Sequence, residues 1–173
     1  MSMLFNSKIK VALLQVLLAL SLVASSATAM EMQSVETGEN LKLEDLTGNG
    51  KWTLVMFWAT NCHICRLQKP DMSAFHNKHK DDKAEVIGIA LDGPGAMDAV
   101  NRYIEETKPS FPSYVADSLI ISSYYFTMTE DNLRGTPTYL LFNPEGELLG
   151  NNPGMLSIEA IESFIERKSE STG

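Results

Sequence analysis

Short apolar runs alternate with amphipathic stretches along most of this chain. The run at residues 85–91 is almost continuously apolar, which is typical of a strand buried on both faces of a parallel sheet. Gly, Pro, Asn and Asp residues separate several of the runs, and such residues favour turns. On this pattern we predict strands at residues 41–46, 52–59, 85–91, 114–116, 138–142 and 147–150.

Helices are predicted in the stretches between these strands. The longest contains Pro70, which we expect to kink it near its middle because proline removes one backbone hydrogen bond of the helix. Ser157 is a suitable N-cap for the last helix. The predicted helices cover residues 62–80, 96–107 and 118–126, and a final helix runs from Ser157 to about residue 168.

The order of these elements is β-β-α-β-α-β-α-β-β-α. Alternating strands and helices, followed by a hairpin and a helix, predict an α/β fold with a central mixed β-sheet and helices on both faces. We expect an N-terminal hairpin of residues 41–46 and 52–59 around a turn at 47–51. A single domain is predicted over residues 41–168, preceded by a loose polar segment at 30–40.

Residues 1–29 have the pattern of a secretory signal peptide. Lys8 and Lys10 precede a short apolar stretch at 11–23, and Ala27 and Ala29 form an A-x-A cleavage motif. We therefore predict export to the periplasm, with a mature chain that starts at Met30. The apolar stretch is shorter than the roughly 20 residues of a spanning helix. Retention of this segment as an uncleaved membrane anchor is the alternative.

Charge limits the choice of partners. The whole chain carries a net charge of −8, and residues 1–29 contain Lys8 and Lys10 but no acidic residue, so their removal leaves 12 − 22 = −10. A surface this acidic argues against nucleic acid or an anionic membrane as a partner. It does not select a substrate.

The two cysteines of the chain, Cys62 and Cys65, form a C-x-x-C motif between a predicted strand and a predicted helix. This arrangement is typical of a dithiol/disulfide redox site. The helix N-terminus stabilises a thiolate, which is the form that attacks disulfides. A purely structural disulfide is the alternative, but so small a closed loop removes little entropy from the unfolded chain.

The sequence around the cysteines, Phe57-Trp58-Ala59-Thr60-Asn61-Cys62-His63-Ile64-Cys65-Arg66, resembles the F-W-A-x-W-C-x-x-C-[RK] active site of the thioredoxin superfamily. Gly135-Thr136-Pro137-Thr138 resembles the cis-proline loop of that superfamily, and Asn143-Pro144-Glu145-Gly146 resembles its hairpin turn. Arg66-Leu67-Gln68-Lys69-Pro70 is similar to the R-x-E-x-P segment of its extracytoplasmic branch, the TlpA/ResA-like thiol–disulfide reductases. The resemblance therefore implies a thioredoxin fold over most of residues 41–168.

The resemblance also implies roles for individual residues. Cys62 would be the exposed attacking cysteine and Cys65 the buried resolving one. Pro137 would be cis and packed against the disulfide, with the backbone of Thr136 pairing to a substrate chain. Trp58, Thr136 and Pro137 would be the substrate-binding positions. No cofactor is implied.

The implied activity is the reduction of disulfides in other proteins, such as apocytochrome c or proteins with wrongly paired cysteines. Such a reductase would need electrons from a membrane donor of the DsbD/CcdA type, because an oxidising compartment supplies none. A thiol oxidase or isomerase of the same fold, or a binding module without catalysis, would share most of these sequence features. The oligomeric state is left open.

Four positions depart from the pattern of relatives. Asn61 replaces a tryptophan beside the first cysteine, and Met56 and Gln68 stand where related proteins carry acids that manage protons near the resolving thiol. The dipeptide His63-Ile64 is the other departure, since many relatives have Pro before the second cysteine, and His63 is adjacent in sequence to Cys62. Its hydrogen bond or positive charge would lower the pKa of the Cys62 thiol and make the couple more oxidising. A solvated side chain without influence is the alternative for His63.

Metal binding is a further alternative. Cys62, Cys65, His76 and His79 have a spacing slightly shorter than that of a zinc finger, but all four belong to one predicted helix. Cys65 and His76 would be roughly 16 Å apart along it, too far for ligands about 2 Å from one metal. We therefore expect no metal site and exposed histidines at 76 and 79. A copper chaperone would need a distant histidine, and His79 is the last one in the chain.

Overall fold

A computed structural model describes residues 29–170 of the chain. Nearly all of the expected signal peptide, residues 1–28, therefore lies outside the described residues. Two short 3-10 turns, Leu43–Asp45 and Pro94–Ala96, accompany the regular elements. The strands are β1 (Glu31–Ser34), β2 (Asn40–Lys42), β3 (Trp52–Trp58), β4 (Ala84–Ala90), β5 (Ser113–Val115), β6 (Thr138–Phe142) and β7 (Leu148–Pro153). The helices are α1 (His63–His79), α2 (Met97–Thr107), α3 (Ser118–Thr129) and α4 (Ile158–Glu170).

The strands form one mixed sheet in the order β2-β1-β5-β4-β3-β6-β7. β4 lies parallel to both β3 and β5, whereas β6 lies antiparallel to β3 and β7. β3 is therefore near the centre of the sheet, and all seven of its residues are buried. Its carboxyl end leads directly into the segment that carries the two cysteines.

The two faces of the sheet bury separate hydrophobic clusters. Alternate residues of β3, such as Met56 and Trp58, face α1, α2 and α4, and the residues between them, such as Val55 and Phe57, face α3. This alternation follows from the two-residue period of a strand. Helices thus cover both faces, and the predicted mixed α/β sheet is confirmed.

The N-terminal part differs from the sequence prediction. Only Asn40–Lys42 of this region is a strand, and the 3-10 turn that follows it buries Leu43. Residues 31–34, expected to be loose, form β1, which pairs with β2 and with β5. The N-terminal hairpin is therefore β1–β2, and the sheet begins before residue 41. β1 escaped prediction because its sequence is mostly polar and its stability comes from backbone pairing with β2 and with the distant β5.

The other predicted elements lie where they were expected, with shifted ends. α1 begins at His63, with Cys62 as its N-cap and Lys80 as its C-cap. α3 continues to Thr129, and β7 continues to Pro153. Between residues 29 and 170, no helix has the length and apolar character that crossing a membrane requires.

Candidate active site

Cys62 and Cys65 form a disulfide at the N-terminus of α1, with their Cα atoms 5.3 Å apart. The N–H of Cys65 donates a hydrogen bond to Cys62 Sγ at 3.0 Å, so Cys62 caps the helix through its sulfur. The preceding loop is fixed by Asp92, whose carboxylate accepts hydrogen bonds from the N–H of Thr60, at 3.1 Å, and from its hydroxyl group. This geometry presents the first sulfur to the positive end of the helix dipole.

The two cysteines differ in burial. Cys62 is half-buried, whereas Cys65 has no exposed surface and belongs to the core cluster beneath α1. Ile64 and Leu67 are exposed apolar side chains on the first turns of the same helix. An incoming sulfur can therefore reach Cys62 across a partly apolar surface, and Cys65 can meet only Cys62.

The Thr136–Pro137 peptide bond is cis, as the resemblance implied. The carbonyl oxygen of Thr136 lies 3.4 Å from Cys62 Sγ, which brings the proline loop against the disulfide. Gly154 N–H donates to the carbonyl of Pro137 at 2.8 Å, and Thr138 Oγ1 donates to the carbonyl of Gly135 at 2.7 Å. The loop is thus held on both sides, and the N–H of Thr136 has no hydrogen-bond partner within residues 29–170.

Trp58 lies in the core, which differs from its expected role in substrate binding. It ends β3 on the face that packs against α1 and α2, has no exposed surface, and stacks on Tyr103 with ring centroids 4.8 Å apart. The alternation of β3 turns this side chain inward, so it does not touch a substrate at the surface. His63, in contrast, is exposed, and its side chain makes no hydrogen bond or ion pair with the described residues.

Gln68 is buried and links three elements. Its Oε1 accepts a hydrogen bond from the hydroxyl of Tyr139 in β6 at 3.1 Å and another from the N–H of Leu156 at 2.7 Å. Burial raises the pKa of Tyr139, so its hydroxyl stays protonated and remains a donor. Met56 is fully buried on the same face of the sheet. The two departures noted in the sequence therefore leave uncharged side chains on the face of the sheet that packs against Cys65.

Lys69 is a buried residue of the site that the sequence reasoning missed. Only 1% of it is exposed, and its Nζ lies 3.8 Å from the ring centroid of Trp58, 5.1 Å from that of Tyr103 and 5.4 Å from that of Phe111. Burial, together with the charge of nearby Arg66, lowers the pKa of Lys69 from 10.5 to about 7. A signal was present in the sequence, because position 69 lies one helical turn after Cys65 on the buried stripe of α1.

His76 and His79 are both buried, so the expectation that they are exposed was wrong. His76 Nδ1 accepts a hydrogen bond from the N–H of Val86 at 3.1 Å, and His79 Nε2 lies 2.7 Å from Glu162 Oε1. Both side chains connect α1 to its neighbours because they lie on its core-facing stripe. Residues 29–170 contain no group of three or more His, Cys, Asp or Glu that could hold a metal ion.

Comparisons with known proteins agree with this geometry. The ResA thiol-disulfide oxidoreductase of Halalkalibacterium halodurans is 27% identical over 129 residues, which are 75% of this chain and 68% of that protein. The sporulation thiol-disulfide oxidoreductase A of Bacillus subtilis is 24% identical over 136 residues, which are 78% of this chain and 76% of that protein.

Solved structures show the same fold. The thioredoxin domain of a thiol-disulfide oxidoreductase from Bacteroides vulgatus superposes with a TM-score of 0.65 at 23% identity, covering 83% of this chain and 94% of that one. A thioredoxin-family thiol:disulfide interchange protein from Chlorobium tepidum gives a TM-score of 0.66 at 19% identity, with coverages of 80% and 92%. The family model described as AhpC/TSA matches residues 23–149. The chain therefore belongs to the AhpC/TSA family, and it is a thiol–disulfide oxidoreductase with the thioredoxin fold.

Proposed function

We propose that this chain is an exported thiol–disulfide reductase, with Cys62 as the attacking cysteine and Cys65 as the resolving cysteine. The observation that carries the proposal is the unequal burial of the two residues. Cys62 is half-buried with its sulfur at the helix N-terminus, whereas Cys65 is fully buried behind it. A substrate sulfur therefore has access to Cys62 and not to Cys65.

The reaction begins with the reduced dithiol. The Cys62 thiolate attacks one sulfur of a substrate disulfide, and the other substrate sulfur leaves as a thiolate that takes a proton from water. The thiolate of Cys65 then attacks Cys62 Sγ and breaks the mixed disulfide, and the second substrate sulfur leaves in the same way. Two electrons pass to the substrate, and the Cys62–Cys65 disulfide forms. Peptide N–H groups at the start of α1, including that of Cys65, support the attacking thiolate.

The substrate is a protein chain in this proposal. The N–H of Thr136 beside Cys62 has no partner in the described part of the chain and is suited to pair with an extended backbone, with Pro137 forming the buried floor of the loop. Ile64 and Leu67 offer exposed apolar surface to the residues that flank the substrate cysteine. Proteins with wrongly paired cysteines, or apocytochrome c, present disulfides of this kind.

The partner and the compartment follow from the electron balance. Every turnover leaves the Cys62–Cys65 pair oxidised, so a continuing reductase needs two electrons from a donor. We assign that role to a membrane donor of the DsbD/CcdA type and the chain to the periplasm, since residues 1–29 have the signal-peptide pattern. The acidic net charge supports a protein partner over nucleic acid.

A trapping experiment tests the roles of the two cysteines. Cys65→Ser should accumulate a mixed disulfide between Cys62 and a peptide disulfide substrate, because nothing resolves the intermediate. Cys62→Ser is the matched control and should trap nothing. Formation of the adduct through Cys65 in the Cys62→Ser chain, or catalysis of disulfide reduction by that chain, would overturn the proposal.

A further inference from the structure

The amine of Lys69 is the most unusual polar group in the core. It is surrounded by the faces of Trp58, Tyr103 and Phe111 and has no hydrogen-bond partner among residues 29–170. Aromatic faces attract a cation, but they do not replace the hydrogen bonds that an ammonium group makes with water. The buried amine therefore lacks the hydrogen bonds that would stabilise its charged form, and burial favours its neutral form.

The position of Lys69 relates it to Cys65. The two residues are four apart in α1, so their Cβ atoms are neighbours about 5–6 Å apart on one face of the helix. Helical side chains lean toward the N-terminus, which carries the longer lysine side chain back over the turn that holds Cys65. Both residues pack against the same core cluster: Cys65 belongs to it, and the three rings around Lys69 do as well.

Cys65 must lose a proton before it can resolve a mixed disulfide, and it has no exposed surface, so bulk water does not touch the thiol when the resolving step begins. The other polar groups on this side of the site are poorly suited to accept it. Arg66 is permanently protonated and bonds to Glu106 at 3.1 Å. Burial raises the pKa of Tyr103, so its hydroxyl holds its own proton.

The polar groups between α1 and β6 are equally unsuited to accept the proton of Cys65. Gln68 does not titrate, and Tyr139, whose hydroxyl it binds, stays protonated. Asp71 is exposed and lies 3.4 Å from the amide nitrogen of Gln68, two turns of the helix from the disulfide. Lys69 is the one remaining buried titratable group near Cys65 among the described residues.

We propose that Lys69 is the proton acceptor for the Cys65 thiol during resolution of the mixed disulfide, an inference that rests on the proposed function. Neutral Lys69 takes the proton from Cys65 Sγ and becomes an ammonium ion against the aromatic faces. The Cys65 thiolate forms the bond to Cys62 Sγ, the bond from Cys62 to the substrate sulfur breaks, and that sulfur leaves as a thiolate and takes a proton from water. Lys69 later releases its proton to solvent.

The burial of Lys69 suits this task. A lysine with an ordinary pKa of 10.5 would be protonated at neutral pH and unable to accept a proton, whereas the lowered pKa of about 7 leaves much of Lys69 neutral. Once protonated, the amine also stabilises the thiolate through its charge. Lys69 can thus accept a proton at neutral pH and, once protonated, can stabilise the thiolate that remains.

The first test uses the unmodified protein. Chemical shifts of lysine labelled with carbon-13 at Cε report the titration of Lys69 in the oxidised and the reduced chain, with the signal assigned by its loss in Lys69→Met. Reduction turns Cys65 into a titrating thiol, and the negative charge of its thiolate favours the protonated form of Lys69. The apparent pKa of Lys69 should therefore rise by at least about one unit. An identical titration in the two redox states would overturn the proposal.

The second test measures resolution directly. A mixed disulfide is prepared on Cys62 with a small aromatic thiol, and release of that thiol is followed by absorbance between pH 5 and pH 10. Lys69→Met should slow release at pH 7 by about 100-fold and move the rising limb of the pH profile to higher pH. Lys80→Met, which removes the same charge from the exposed end of the helix, should leave both unchanged. An unchanged profile in Lys69→Met would also overturn the proposal.

The role of Lys69 and the proposed reductase function can fail independently in these experiments. The lysine titration involves no substrate, so it reports on the Lys69–Cys65 pair even if the chain proves to be an oxidase. Conversely, trapping through Cys62 in the Cys65→Ser chain tests the proposed function without any contribution from Lys69.

Discussion

The hydroxyl group of Tyr139 donates a hydrogen bond to Gln68 Oε1 at 3.1 Å, which ties the active-site helix α1 to strand β6. The same oxygen accepts the N–H of Leu156 at 2.7 Å. A neutral amide thus joins the active-site helix, the sheet and the segment before α4. Gln68 therefore connects these elements by hydrogen bonds, and its uncharged side chain does not exchange protons with the cysteines.

Replacing Gln68 should destabilise the fold. In Gln68→Ala, the hydroxyl of Tyr139 and the N–H of Leu156 lose their acceptor and a cavity opens, so the free energy of unfolding should fall by about 2–4 kcal/mol. Gln68→Glu keeps an oxygen in place and should lose less at pH 5. Chemical denaturation measures both. Equal losses in the two variants would show that the shared acceptor is not the stabilising element.

His76 should make the fold sensitive to acid. Burial lowers the pKa of His76 below its ordinary value of 6.5, so the unfolded chain binds a proton more readily than the folded chain. Stability should therefore fall as the pH drops below about 6.5, since protonation removes the acceptor of the Val86 N–H. In His76→Asn, whose amide oxygen can replace Nδ1, that part of the pH dependence should disappear. Parallel curves of unfolding free energy against pH for the two chains would contradict this account.

Lys69 should destabilise the folded chain at neutral pH. The folded chain begins to lose its Lys69 proton near pH 7, whereas the unfolded chain keeps it up to about pH 10.5, so folding becomes more favourable as the pH rises through this window. For one proton the slope is about 1.4 kcal/mol per pH unit. Lys69→Met should be more stable than the parent at pH 7, with the difference shrinking toward pH 10. A constant difference would show that Lys69 does not titrate on folding.

The exposed side chain of His63 should influence Cys62 if its positive charge stabilises the thiolate. His63→Ala should then raise the pKa of the Cys62 thiol, measured from the pH dependence of its alkylation rate, and make the couple more reducing. Ile64→Ala, at the next exposed position of the helix, is the matched control and should change neither quantity. An unchanged thiol titration in His63→Ala would leave His63 as a solvated residue without influence.

The sequence was sufficient for the chemistry of the site because that chemistry depends on local spacing. Cys62 and Cys65 follow a buried strand and begin a helix, and this order alone predicts a redox pair at a helix N-terminus. Pro137 is far away in sequence, and its proximity to Cys62 was implied only by resemblance. In the structure, the carbonyl oxygen of Thr136, the residue before Pro137, lies 3.4 Å from Cys62 Sγ.

The features that were missed depend on tertiary packing. Lysine and histidine usually lie at the surface, so residue type argued for exposure at positions 69, 76 and 79, and the helical spacing from Cys65 was the one indication that position 69 faces the core. Their burial follows from the width of the stripe that α1 presents to the sheet and to α4. Trp58 was assigned to substrate binding by its place in a motif, whereas the alternation of β3 turns it inward. β1 has a mostly polar sequence, and its backbone pairing with β2 and β5 makes it a strand.

The most direct test of the proposed reductase is the reduction potential of the Cys62–Cys65 couple, measured by equilibration with glutathione. We predict a value near that of thioredoxin, about −270 mV, because a reductase must give up electrons readily. A value near that of the oxidant DsbA, about −120 mV, would contradict it and would identify the chain as an oxidase or isomerase.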